Sequence, residues 1–155
     1  LVIFDTAIAG FNGYQTCYYR TFCLGQPTQK QKDFYEQTLN WLYDAIKIIK
    51  PGVTTADIAN CWPEATKQWG YESEWQALAN EWGHGLGLAL YEPPTISRAF
   101  SLKFPFTLKE NMCLALETMH GHRHDGGCRL EEMMRVTSSG VEVFSRYPVD
   151  EIIVV

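Results

Sequence analysis

Three glycines surround one histidine in Trp82-Gly83-His84-Gly85-Leu86-Gly87, and an apolar run leads from there to Tyr91-Glu92-Pro93-Pro94. Glycine at this density constrains the fold, because it lets another group approach the backbone closely. A histidine in such a place is a candidate ligand or proton-transfer group. Two later segments each carry a carboxylate on an apolar strand. They are Cys113-Leu114-Ala115-Leu116-Glu117-Thr118 and Gly127-Cys128-Arg129-Leu130-Glu131-Glu132. A buried carboxylate is costly unless a cation, a metal or strong donors meet it. If His84, Glu117 and Glu131 converge, they suit a hard or borderline cation, or equally a cationic substrate. If they are scattered, each is satisfied locally, and Arg129 is an available partner for either glutamate. Strand alternation places only one of Glu131 and Glu132 toward a given core; if Glu131 faces in, so do Arg129 and Met133.

The periodicity around these segments predicts an α+β domain. Strands are expected over residues 1–5 and 14–22, with a turn at Gly10–Gly13. Tyr35, Leu39, Leu42, Ile46 and Ile49 recur at spacings of 4, 3, 4 and 3, one face of a helix over 28–50, which Pro51-Gly52 ends. Thr54-Thr55-Ala56-Asp57 caps a second helix over 55–69, kinked or split by Pro63 and ended by Gly70. A short helix through Trp75 and Leu78 is one reading of 71–81. Strands follow at 83–90, 112–118 and 129–137, then a hairpin turn at Ser138-Ser139-Gly140 into 141–145, and a last strand at 151–155. His120-Gly121-His122-Arg123-His124-Asp125 reads as a solvated connecting loop, although alternating histidines also suit a metal. Trp62, Trp69, Trp75 and Trp82 read as core. The order of strands, two helices and strands favours α+β.

Composition narrows the partners. The net charge of −5 argues against a nucleic-acid or anionic-membrane surface. No apolar run approaches the roughly 20 residues of a membrane helix. Five irregularly spaced cysteines do not form a secreted disulfide framework, and a reducing, cytoplasmic setting is expected. Leu1-Val2-Ile3-Phe4-Asp5 reads as a strand already under way, so the chain is expected to be a fragment.

The chain resembles the pita-bread metallopeptidase family of creatinase, prolidase, aminopeptidase P and methionine aminopeptidase. The resemblance spans nearly all of it. It is carried by Gly13-Tyr14 with Arg20-Thr21-Phe22, Pro51-Gly52-Val53-Thr54 before Asp57, Gly83-His84-Gly85-Leu86-Gly87-Leu88, Glu92-Pro93-Pro94, Leu116-Glu117-Thr118, and Arg129-Leu130-Glu131 with Val136-Thr137. It implies two pseudo-symmetric αββ halves around a curved, mostly antiparallel sheet with helices on its outer face. Residues 1–155 would be the C-terminal part of one such domain. Active family members hold two metal ions with Asp, Asp, His, Glu and Glu. Carried over, His84 matches the ligand histidine, and Glu117 and Glu131 match the two ligand glutamates.

The aspartates depart from the pattern. Counted back from Arg20-Thr21, the second falls on Cys17 and the first on Thr6, with Asp5 beside it. In the Phe-Asp-Thr-Asp register of the dimethylsulfoniopropionate lyase branch, Asp5 is kept and its partner becomes Ala7. The family's second histidine is Tyr91 here. With two carboxylates lost, too few anions remain for two dications. The resemblance therefore implies at most one divalent metal ion (Zn, Fe or Mn) at Cys17, His84, Glu117 and Glu131, or none, as in creatinase. The implied function is a creatinase-like or Xaa-Pro peptidase-like hydrolase acting on a C–N bond of a small-molecule or short-peptide substrate, as a homodimer in the full-length protein. His84 would act as general acid/base, its pKa raised by the carboxylates. Glu117 and Glu131 would bind a positive group, and Tyr91 and Arg129 would line the pocket. The alternatives are a metal-dependent lyase and an inactive pita-bread binding domain.

Overall fold

In the computed structural model, residues 1–7, 10–77 and 81–155 are described. Strand β1 (Val2–Asp5) pairs antiparallel with β4 (Tyr19–Cys23), and β10 (Ile153–Val154) pairs parallel with the far side of β4. A two-stranded hairpin of β2 (Gly10–Phe11) and β3 (Tyr14–Gln15) lies between β1 and β4 in sequence. The main sheet runs β6 (Glu92–Ile96), β5 (Gly83–Gly85), β7 (Cys113–His122), β8 (Gly126–Val136), β9 (Val141–Val143), antiparallel throughout. No ladder joins β4 to β8. The Thr21 hydroxyl bridges them instead, donating to Arg129 O (2.9 Å) and accepting from Arg129 N (3.0 Å).

Helix α1 (Gln29–Ile48) packs across β7 and β8. Thr28 and Gln31 form a capping box at its start. Its buried stripe is Tyr35, Thr38, Leu42, Ala45 and Ile49, while Leu39 and Ile46 pack at the flank. The apolar period thus located the helix and its face within half a turn. The second helix is split as expected, into α2 (Thr55–Ala59) and α3 (Ala65–Gln68), and α4 (Arg98–Ser101) follows β6. No helix among the described residues is long and apolar enough to cross a membrane.

Several elements differ from their sequence expectation. The strand over 14–22 is broken at 16–18, because the Cys17 amide leaves the ladder and points at Met133 Sδ (3.3 Å). The strand over 83–90 stops at Gly85. Gly87 N donates to Ala89 O and Ala89 N to the Glu92 carboxylate, turning the chain back into β6. His120-Gly121-His122 is strand rather than loop, paired with Cys128, Gly127 and Gly126. The glycines explain the extension: a Cβ on Gly121 would lie 2.5 Å from Gly127 Cα, so only a glycine lets the hairpin continue. Trp75 is 64% exposed and is not core. A short 3-10 turn covers Glu74–Gln76, and the helix expected through Leu78 reaches outside the described residues. Glu131 and Glu132 are consecutive ladder residues on opposite faces of β8, as alternation requires, and both are buried because β8 is covered on both faces.

Candidate active site

The glycine-rich stretch does what its composition suggested. A Cβ on Gly83 would meet Ala115 O at 2.7 Å, and one on Gly85 would meet Pro93 O at 2.3 Å. These approaches bring β5 tight between β6 and β7 and bury His84 to 1% exposure. His84 Nδ1 lies 2.8 Å from Gly85 O. A carbonyl only accepts, so the proton sits on Nδ1 and Nε2 carries a lone pair.

That lone pair faces a cluster. His84 Nε2 is 3.8 Å from Glu131 Oε1, and Cys17 Sγ is 3.6 Å from Glu131 Oε2. One donor atom from each of Cys17, His84 and Glu131 lies within 4.8 Å of the other two, and this is the metal-capable group found among the described residues. Both His84 Nε2 and Glu131 Oε1 are buried without a hydrogen-bond partner. Burial holds the His84 pKa below its ordinary value, outweighing the bond to Gly85. Burial, then the charge of Glu117, drives Glu131 well above the usual carboxylate range; burial, then Glu131, pushes the Cys17 thiol up. The expected imidazolium is therefore disfavoured: a carboxyl kept neutral by burial cannot stabilise it.

Glu117 stands apart from this group. Although it is the cross-strand neighbour of Glu131, Arg129 Nε and Nη2 both reach its Oε2. Burial pushes Glu117 up to about 7 against the pull of Arg129, while Glu117 raises Arg129. The contact geometry favours the charged pair. Arg129 also stacks on the Tyr19 ring, 4.0 Å from its centroid. Asp5 accepts from Ala7 N at 2.9 Å, closing a local turn. Tyr91 sets its ring 4.5 Å from His84 and is 58% exposed. Among the loop histidines, His120 packs against Phe34 and Trp41.

Arg20, in the motif Arg20-Thr21-Phe22, has a role that the motif alone does not disclose. It is 2% exposed, pairs with Glu132 Oε1 at 2.8 Å, and donates to the carbonyls of Glu131, Tyr147 and Pro148. It thereby fixes the backbone that carries Glu131. A buried basic residue opposite a second glutamate in Glu131-Glu132 was the available signal.

The donor set of Cys17, His84 and Glu131 fits a divalent ion. Thiolate, imidazole and carboxylate suit a borderline cation such as Zn²⁺. Ion binding would also reverse the neutral preference of Cys17 and Glu131.

Comparison with known proteins agrees with this architecture. The chain is 31% identical over 142 residues to an Xaa-Pro dipeptidase of Pyrococcus furiosus, covering 92% of this chain and 38% of that protein. It superposes on an X-Pro aminopeptidase from Thermotoga maritima with a TM-score of 0.83 at 27% identity, over 99% of this chain and 40% of the other. It also matches the prolidase from Pyrococcus furiosus with a TM-score of 0.79 at 29% identity, over 94% and 41%. The chain thus spans about two-fifths of these relatives, whose fold is the pita-bread α+β arrangement. The sequence profile of metallopeptidase family M24 matches residues 1–138, and the chain belongs to that family.

Proposed function

We propose that this chain contributes the metal-side half of the active site of an Xaa-Pro peptidase-like or creatinase-like hydrolase. It would act on a C–N bond of a small or peptidic substrate, with at most one divalent ion held by Cys17, His84 and Glu131. The carrying observation is the convergence of His84 Nε2 and Glu131 Oε1, both buried and unpartnered, on the Cys17 thiol. Unsatisfied buried polar atoms are rare, and two of them facing each other beside a thiol imply a missing partner. An ion bound there would act as a Lewis acid toward a carbonyl oxygen and lower the pKa of a water. The protein's own share is distinct. The Gly85 carbonyl keeps His84 in the tautomer whose Nε2 can ligate or take a proton. Arg20 fixes the backbone at Glu131. Tyr91 covers His84 on the solvent side with its hydroxyl available to a substrate. In this reading residues 1–155 are the C-terminal part of a single pita-bread domain.

The test is metal content and hydrolysis by the intact protein with Cys17→Ala and His84→Ala variants, using Xaa-Pro dipeptides and small amides. About one equivalent of metal, lost together with turnover in both variants while the fold persists, is expected. Two equivalents would restore the dinuclear arrangement and overturn this reading. So would turnover that is unchanged in His84→Ala.

A further inference from the structure

A cavity adjoins the donor cluster, and its chemistry differs from the cluster's. It holds about 640 Å³ and is walled by Tyr19, Trp69, Tyr71, Trp82 and Met119, with Arg129 in its lining. The position is set by the strands. Tyr19, Met119, Arg129 and Trp82 each stand two residues from Cys17, Glu117, Glu131 and His84. On β7 and β8 a step of two keeps a side chain on the same face, and Met119 and Arg129 are direct cross-strand partners. The cavity is therefore the next layer of the same face.

The net charge is −5, yet among the described residues the lining includes Arg129, Arg123, His120 and His122 and no aspartate or glutamate; the carboxylates that act on Arg129, Glu117 and Glu81, lie outside that lining. Glu117 engages Nε and Nη2 of Arg129 through one oxygen, which leaves Nη1 outside that pair. A volume of this size with aromatic walls and few polar groups suits one small organic molecule. The aromatic walls alone could hold a cation by its charge, but Arg123, which has no acidic partner among the described residues, and the Arg129 Nη1 left outside the Glu117 pair oppose one.

We infer that this cavity binds the apolar or aromatic part of an anionic substrate, with the substrate's carboxylate directed to Arg129. The substrate class is thus an amide bearing a large apolar group and a negative charge. Calling the ligand a substrate rests on the hydrolase reading above; its chemistry rests on the cavity alone.

The test is calorimetric titration of the intact protein with 3-phenylpropanoate and its cationic counterpart, 3-phenylpropylammonium. The acid is expected to bind saturably and about tenfold or more tighter than the amine. Met119→Glu places a carboxylate opposite Arg129 and should reverse that preference. Met119→Ala, which adds no charge, should keep its sign. His84→Ala should leave acid binding within about threefold while removing metal and turnover, because His84 does not line the cavity. Equal binding of acid and amine, or no saturable binding of either, overturns the inference even if the protein hydrolyses C–N bonds. Preserved acid selectivity in a protein without turnover would sink the hydrolase reading and leave the cavity standing.

Discussion

Glu131 and Glu132 are neighbours on one strand, and their surroundings are opposite. Glu132 meets Arg20, whose other nitrogens are spent on backbone carbonyls. Glu131 meets a thiol and an imidazole and no arginine, although each of the two glutamates keeps one oxygen without a hydrogen-bond partner. Glu117 and Arg129 repeat the first pattern one strand away. The lesson is that where this chain buries a carboxylate for structure, it supplies an arginine from within. Where it supplies none, at Glu131, a thiol and an imidazole stand beside the carboxylate instead.

The comparison can be broken by mutation. Arg20→Met should cost the most, about 3–5 kcal/mol in urea denaturation, because it leaves Glu132 buried without its cation. Adding Glu132→Leu should recover most of that loss, and no recovery would mean the carbonyl contacts dominate. Arg129→Met strands Glu117 in the same way; its partial exposure should place the cost lower, about 2–3 kcal/mol by the same measurement. Glu131→Gln should behave differently, changing stability by no more than about 1 kcal/mol, because burial already favours its neutral form. A cost as large as that of Arg20→Met would place Glu131 among the structural carboxylates. The smallest effect belongs to a solvated carboxylate. Asp57 closes the α2 capping box with Thr54, and those hydrogen bonds lower its pKa from 3.8. Its contribution is full above the unfolded pKa and lost as the pH falls through the lower folded value. Asp57→Ala should therefore cost about 0.5 kcal/mol at neutral pH, and acid titration of both proteins should show the gap closing below pH 3.8.

Much of this was legible in residues alone. The period of Tyr35, Leu42 and Ile49 placed α1, Thr54-x-x-Asp57 placed α2, and Pro63 divided α2 from α3, since each signal acts within a few residues. The motifs around His84, Glu117 and Glu131 located three functional candidates in the correct strands. The breaks at Cys17 and Gly85 were not legible, because they answer to Met133 and Glu92, far off or across a turn.

The helices α1 and α2, the central strands, the family and the candidate residues follow from local propensity and ordered motifs, and so are readable in the chain. Which carboxylate is free depends on the assembled sheet. Arg129 stands two residues from Glu131 and twelve from Glu117, yet it pairs with Glu117. That choice depends on the cross-strand register of β7 and β8 and on Tyr19 stacked against the guanidinium, and neither exists until the sheet has formed.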